Sequence, residues 1–185
     1  MPHASDILRE DHRKVKELFR LFENTKDPQE QKAIAHNAIL ELDIHSRLEE
    51  EIFYPAVRRM GGREDEVEEM MDEAEEEHHV VELLSRELMG MQPENPDFAA
   101  KFTVLSENVK HHIEEEESEM LPQADQLDPQ KLEELGAQMQ QRKQQLLTAT
   151  AGQTKRPAAR SASRSGSTRT RASGAHRSRT GKPAA

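Results

Sequence analysis

The stretch His45-Ser-Arg-Leu-Glu-Glu-Glu-Ile-Phe-Tyr-Pro55 has a counterpart further along the chain, which reads His112-Ile-Glu-Glu-Glu-Glu-Ser-Glu-Met-Leu-Pro122. Both copies place a glutamate four residues after the histidine and a proline ten residues after it. On an α-helix, residues four apart lie on the same face, about 6 Å apart along the axis. Each copy therefore predicts a helix that presents one imidazole and one carboxylate in the same direction.

The apolar residues around each copy indicate that this direction is the protein interior. At helical spacing, the first copy has Ile34, Ala38 and Leu42 before His45, with Ile52 after Glu49. The second copy has Phe98, Phe102, Leu105 and Val109 before His112, with Met120 after Glu116. Each histidine and glutamate thus occupies a core position of an amphipathic helix. Because a buried carboxylate without a partner is costly, we expect a positive group in the interior.

Two further histidines lie on apolar stripes of their own. The stripe of the first predicted helix contains Leu8, His12, Val15, Phe19 and Phe22, and that of the third contains Val67, Met71, Ala74, His78, Val81, Leu84 and Leu88. The interior is therefore predicted to receive six polar side chains, namely His12, His45, Glu49, His78, His112 and Glu116. Four imidazoles and two carboxylates on facing helices suit a dinuclear iron or manganese site.

Neighbouring histidines and acids are assigned to the surface. His79 and His111 are adjacent to His78 and His112 but lie beside the apolar stripes. The acidic run 73–77, and the residues Glu114, Glu115 and Glu117, are predicted to form solvated faces that hold cations at most loosely.

Composition limits the classes of protein that the chain can represent. Only 34% of its 185 residues are apolar and none is Cys, which favours one modest domain and excludes disulfides, thiolate metal sites and cysteine nucleophiles. The sequence shows neither a membrane span nor a signal peptide, so a cytoplasmic protein is expected. All 36 acidic and 17 of the 26 basic residues lie in residues 1–154, giving charges of −19 there and +9 on residues 155–185.

The positions of N-cap residues and of helix-breaking Pro and Gly residues predict five helices and a C-terminal tail. The first runs from an N-cap at Ser5 to between Asn24 and Pro28, the second from Pro28 to Phe53, the third from Met70 to Met89 and the fourth from Pro96 to Met120. Asp128-Pro129 opens an accessory helix that extends to Leu147, with a stripe of Leu132, Leu135, Met139 and Leu146 but no interior ligand. The fold class is all-α, an up-down-up-down four-helix bundle followed by this helix and a disordered basic tail.

The six interior residues, in this order on four helices, closely resemble the hemerythrin-like HHE cation-binding family. The resemblance covers residues 1–123, so the domains are 1–123 for the metal-binding bundle, 124–150 for the accessory helix and 151–185 for the tail. It implies two iron ions in an oxo- or hydroxo-bridged centre. In that centre Glu49 and Glu116 would bridge, and His12, His45, His78 and His112 would supply the imidazoles.

The sequence departs from the oxygen-carrying members of that family. They pair two histidines four residues apart on the third helix, whereas the residues at that distance from His78 are Ala74 and Glu82. They also place an aspartate five residues after the fourth-helix histidine, where this chain offers Glu116 or Glu117. With fewer imidazoles the metals keep open positions, which favours binding or reduction of O2, peroxide or nitric oxide, or sensing of oxygen or iron, over reversible oxygen carriage.

Three alternatives remain open at this stage. A ferritin-like site needs Glu-x-x-His on two helices, and only Glu75-x-x-His78 matches. Zinc prefers four ligands, fewer than the six available. In the third alternative the bundle is structural, and the Arg/Ser-rich tail binds nucleic acid weakly and without sequence preference in a stress-related role. The oligomeric state is not indicated.

Overall fold

The structure is a computed structural model that describes residues 2–60 and 65–154. Its helices are α1 (Ala4–Asn24), α2 (Pro28–Leu48), α3 (Tyr54–Met60), α4 (Asp65–Gly90), α5 (Asp97–Glu115), α6 (Leu121–Ala124) and α7 (Pro129–Thr154). Two π-helical segments, Glu49–Phe53 and Glu116–Met120, join α2 to α3 and α5 to α6. No strand occurs within these residues, so the predicted all-α class is confirmed. Of the predicted basic tail, residues 155–185 lie outside the described residues.

The bundle is formed by α1, α2, α4 and α5. Helix α1 packs against α2 and α5, and α4 packs against the same two helices, which gives the expected up-down-up-down arrangement. The amphipathic pattern explains this packing, because the interior stripe of α1 is buried throughout and the stripes of α4 and α5 are largely so. No helix in the described part of the chain combines the length and the apolar character needed to cross a bilayer.

The apolar core is divided into two clusters. One contains Leu8, Leu48, Phe53, Met71 and Met120, and the other contains Val15, Phe19, Leu42, Phe102 and Val109. On α1, His12 lies between a member of each cluster, and the same holds for the interior histidines of α2 and α4. On α5, His112 follows Val109 of the second cluster, and Met120 of the first lies beyond it in the π segment. The polar side chains therefore form one layer across the bundle, with apolar packing above and below it.

Helix α7 covers one side of the bundle, as its thin apolar stripe predicts. It packs on α1, α2 and the first π segment, and Leu132, Leu135, Met139 and Leu146 are all buried. Its start is capped as expected, with Asp128 Oδ1 accepting from the Gln130 backbone N–H at 2.9 Å. Gly136 allows the N-terminal segment to approach closely, because an added Cβ would lie 2.3 Å from the carbonyl oxygen of Pro2.

Several predicted helix boundaries are wrong. Helix α1 begins at Ala4, and Ser5 is inside it, where its hydroxyl donates to Asp125 at 2.5 Å. The helix that carries His45 does not end at Phe53 but continues through Pro55 to Met60. Helices α4 and α7 are longer than predicted, because polar ends of a helix carry little hydrophobic signal.

Candidate metal centre

All six predicted interior side chains meet in the polar layer. His12, His45, Glu49 and Glu116 offer ligand atoms that lie within 4.8 Å of one another, and so do Glu49, His78 and His112. Each of the six side chains is at least nine-tenths buried. The carboxylate of Glu49 belongs to both groups, so the two groups are halves of one centre.

The imidazoles form two pairs with the same geometry. The Nε2 atoms of His12 and His45 are 3.2 Å apart, and those of His78 and His112 are also 3.2 Å apart. In both pairs the ring centroids are 4.8 Å apart and the ring planes meet at 65°. The sequence duplication of the His-x3-Glu motif is therefore reproduced as a local symmetry of the centre.

The two carboxylates lie between the imidazole pairs. Glu49 Oε1 is 3.0 Å from His45 Nε2, while its Oε2 is 3.3 Å from His78 Nε2. Glu116 Oε2 is 3.2 Å from His12 Nε2 and 3.7 Å from His112 Nε2. One carboxylate thus faces both pairs with separate oxygens, which is the arrangement needed to bridge two cations.

Several buried carboxylate oxygens of the centre lack the hydrogen bonds that a purely structural polar layer would give them. Both oxygens of Glu49 and Oε2 of Glu116 are buried without a hydrogen-bond partner among the described residues. Buried carboxylates are normally satisfied, and unsatisfied ones are costly. Two nitrogens bound to one cation at roughly 2.1 Å and at right angles would be about 3 Å apart. The donor set and its spacing therefore fit cations better than they fit the protein alone.

Outer carboxylates orient three of the imidazoles. His12 Nδ1 donates to Glu117 Oε1 at 2.9 Å, His78 Nδ1 to Glu50 Oε1 at 2.9 Å, and His112 Nδ1 to Glu77 Oε2 at 2.8 Å. Because an ionised carboxylate only accepts, each Nδ1 carries a hydrogen and each Nε2 faces the centre, where its lone pair can bind a cation once the imidazole is neutral. The prediction that Glu77 and Glu117 form a simple solvated face is therefore wrong. Both are partly buried and bonded to candidate ligands.

The fourth imidazole, His45, is linked to α7. Asp11 Oδ2 lies 3.9 Å from His45 Nδ1, and the other oxygen of Asp11 accepts a hydrogen bond from Lys143. Asp11 is only 4% exposed. Arg142 also binds Glu51, at 2.7 and 3.0 Å. The accessory helix contributes none of the clustered ligand atoms among the described residues, but it anchors the charges behind the centre.

The electrostatics of the metal-free centre favour protonated imidazoles beside ionised carboxylates. Burial opposes protonation of His45, but Glu49 and Asp11 outweigh it and raise its pKa to about 10. Burial also opposes protonation of His78, but Glu49 and Glu50 outweigh it and raise the pKa of His78 to about 9. Burial raises the pKa of Glu49, yet His45 and His78 hold it well below its usual value. Protons take the place of the positive charge that the sequence predicts for the interior.

Each π segment begins at an interior glutamate and ends just before the residue that precedes a proline. The Tyr54 N–H donates to Glu49 O and the Leu121 N–H to Glu116 O, five residues back in each case. The wider turn inserts one residue into the helical repeat and often marks a functional site. It also relieves the crowding that a following proline imposes on the preceding turn. This explains why the helices continue through Pro55 and Pro122.

The extra residue turns Tyr54 inward, which the regular helical spacing did not predict. That spacing placed Ile52 in the interior, but Ile52 is only half-buried, whereas Phe53 and Tyr54 are fully buried. The Tyr54 ring stacks on His78 at 6.0 Å between centroids, and its hydroxyl donates to Glu116 Oε1 at 3.2 Å. The second copy of the motif has Leu121 at the equivalent position. This difference between the two copies is the sequence signal that could have identified Tyr54.

Two cavities adjoin the centre. One, of about 20 Å³, reaches His45, His78 and His112, and the rest of its lining is Val15, Leu42, Val81, Val109 and Ile113 with Ser46 and Glu77. The other, of about 110 Å³, reaches His112 and Glu116 from an acidic side. The smaller one is mainly apolar and has room for about one small molecule. The centre is thus adjoined by a small, mainly apolar cavity and by a larger acidic one.

Comparison with known proteins identifies the family. The hemerythrin HHE cation binding domain matches residues 3–124, which contain all six interior residues. The chain belongs to this family. A crystal structure of an HHE domain-containing protein from Mycobacterium kansasii superposes with a TM-score of 0.70 at 26% identity, covering 83% of this chain and 92% of that one. The predicted hemerythrin-like fold is confirmed, and the His/Glu cluster supports metal binding.

Relatives of different lengths share this domain. An uncharacterised protein of Mycobacterium tuberculosis is 29% identical over 147 residues, which is 78% of this chain and 87% of that protein. A DNA nickase of Nostoc sp. is 31% identical over 116 residues, or 63% of this chain, and an uncharacterised hemerythrin-like protein of Schizosaccharomyces pombe is 27% identical over 66% of this chain. The matched parts span only 32% of the nickase and 59% of the yeast protein.

Proposed function

We propose that this protein is a non-haem di-iron protein that binds or reacts with O2, peroxide or nitric oxide, or senses oxygen or iron. The observation that supports this proposal most directly is that two pairs of imidazoles lie on either side of Glu49. Each Nε2 pair is 3.2 Å apart, and Glu49 faces His45 with one oxygen and His78 with the other. The donor set would hold one cation at His12 and His45 and a second at His78 and His112.

Two iron ions in such a centre would supply the redox chemistry for oxygen and nitrogen oxide species. The protein's own residues keep that centre oriented and shielded. Glu117, Glu50 and Glu77 hold the Nδ1 protons of three imidazoles and so keep the Nε2 lone pairs directed inward. The Tyr54 hydroxyl holds a proton against Glu116, from which it could be passed to a bound species. The apolar cavity beside His45, His78 and His112 admits a small uncharged molecule.

An iron assay combined with an optical spectrum tests this proposal. Protein purified aerobically should contain about two irons per chain and absorb in the near ultraviolet through ligand-to-metal charge transfer. Addition of peroxide or nitric oxide should then change the spectrum. Colourless protein that refuses ferrous iron after removal of other metals would contradict the di-iron assignment.

A second candidate function is nucleic-acid association through the tail, with a metal that is only structural. Residues 155–185 hold nine basic and no acidic residues, and one relative of this chain is named a DNA nickase. Arg and Lys without aromatic neighbours neutralise phosphates but do not stack on bases, so binding should be weak and steeply salt-dependent. Duplex DNA binding by the full chain and by a chain ending at Gly152 should differ at low salt. Equal binding would contradict this function.

A further inference from the structure

The larger cavity beside the centre is lined on its outer side by acids. Glu73 and Glu77 of α4 face Glu115 and Glu119, which lie at and beyond the end of α5. None of the described residues that line it is Lys or Arg, and the remaining side chains of its outer part are apolar. A concave surface with charges of a single sign concentrates counter-ions and raises their local concentration.

Exposure falls steadily from the mouth of this cavity to its end. Glu73 and Glu119 are exposed, and Glu115 is 50% exposed, whereas Glu77 is 25% exposed. His112 and Glu116 at the inner end are 7% and 2% exposed. The acids therefore form a continuous series from solvent to two candidate ligands of the metal centre.

An unpartnered oxygen lies at the inner end of the series. Glu116 Oε2 is buried and accepts no hydrogen bond from residues 2–60 or 65–154, although Glu116 lines the cavity. This is independent of the surface acids and itself indicates a missing positive ligand. The smaller cavity shares Glu77 with the larger one but has no other acid among the described residues that line it. Its surface is otherwise mainly apolar, so desolvation of an ion there would be costly.

A second cluster of ligand atoms stands at the mouth. Glu77, His111 and Glu115 each offer an atom within 4.8 Å of the others, and His111 Nε2 is 3.3 Å from Glu115 Oε1. His111 is 65% exposed, so it is open to hydrated ions. Glu77 also accepts from His112 Nδ1 at 2.8 Å, which connects this outer cluster to the centre.

We propose that the acidic cavity is the path by which a divalent cation reaches the centre, and that Glu77, His111 and Glu115 form an outer site where the cation binds first. The inference rests on the proposed function, since it concerns how that centre acquires its metal. It assigns separate routes to the two reactants, an acidic one for the cation and an apolar one for a small uncharged molecule.

The rate of metal uptake tests the path. Metal-free full-length protein is mixed anaerobically with ferrous iron at low ionic strength, and unbound iron is trapped at increasing times by a coloured chelator. The triple variant E73Q/E115Q/E119Q should take up iron about tenfold more slowly than wild type, yet reach the same final iron content. The matched control is E76Q/E107Q/E114Q, which removes three exposed acids from the same two helices outside the cavity and should change the rate less than about twofold, by screened long-range effects alone.

The outer site is tested with manganese. Protein whose centre is already filled is titrated with Mn²⁺, and free Mn²⁺ is measured by electron paramagnetic resonance. One further ion should bind, and His111→Ala should weaken that binding at least tenfold, while the exposed His79→Ala should not. Equal Mn²⁺ binding by the two histidine variants overturns the outer site, and equal uptake rates in the two triple variants overturn the path. A wild-type chain that takes up no iron would instead overturn the proposed function, and the path with it.

Discussion

The hydroxyl of Tyr54 donates to Oε1 of Glu116, across the bundle from the first copy of the motif to the second. Both side chains are buried, and this is the bond that satisfies Oε1 of a carboxylate whose Oε2 has no hydrogen-bond partner. Tyr54→Phe keeps the ring that stacks on His78 but removes the donor. The metal-free variant should lose about 1.5–3 kcal/mol of stability, as is usual for a hydrogen bond to a charged group.

In the metal-loaded protein the same change should cost less, because a cation can satisfy the freed oxygen of Glu116. Chemical denaturation of both forms of wild type and variant gives the two differences. An unchanged stability of the metal-free form would show that the bond is not formed in solution.

Two of the four interior histidines, His78 and His112, have an exposed histidine next to them that serves as a control. His78→Ala and His112→Ala remove a donor from the centre, so iron content should fall from about two to below one per chain. His79→Ala and His111→Ala change exposed side chains and should leave the final iron content unaltered. Iron is measured by atomic absorption after desalting. Loss of iron in the exposed variants with retention in the buried ones would reverse the assignment.

Two of the outer carboxylates, Glu50 and Glu117, are expected to tune metal affinity without binding metal. Glu117→Gln and Glu50→Gln weaken the bonds that fix His12 and His78, so the affinity for ferrous iron should fall about 10- to 100-fold. Glu114→Gln, an exposed acid on α5 with no bonded histidine, is the matched control. Competition with a chelator measures the affinities. Equal affinities in all three variants would contradict an orienting role.

The link from α7 to the centre can be isolated by a double-mutant cycle. Lys143→Met leaves Asp11 as a buried carboxylate that has lost its lysine partner, which should cost about 3 kcal/mol. Asp11→Asn alone removes the charge but leaves the lysine beside an amide. The double variant D11N/K143M should recover much of the loss, because neither charge is then buried without a partner. Additive losses, read from urea unfolding, would show that the two residues do not interact.

The positions of the six interior residues follow from the sequence because each falls on an apolar stripe of its own helix. The helical period fixes the face of a residue within a regular helix, which is why His78 could be separated from His79. The regular helical period no longer applies at Glu49 and Glu116, because a π turn adds a residue there. In the first copy of the motif this extra residue turns Tyr54 inward in place of Ile52. The roles of Glu50, Glu77 and Glu117 were also missed, because a side chain at the edge of the polar layer looks like a surface residue in a periodic pattern.

The pH dependence of stability should have opposite signs in the metal-free and the metal-loaded protein. In the metal-free form, His45 and His78 have pKa values raised from 6.5 to about 10 and about 9. The stability that they contribute is fully present below pH 6.5 and is lost as the pH rises through 9 and 10. The lowered pKa of Glu49 contributes stability that is present above 4.5 and is lost in acid. The metal-free protein should therefore be most stable between about pH 4.5 and 6.5.

In the metal-loaded form, protons compete with the cations for the imidazoles, so metal affinity and the stability that depends on it should increase with pH above about 6.5 and fall below it. Thermal unfolding from pH 5 to 9, with and without iron, tests both slopes. The melting temperature of the metal-free protein should fall by several degrees over that range, while that of the loaded protein should rise. Parallel curves would contradict the idea that protons and cations occupy the same imidazoles.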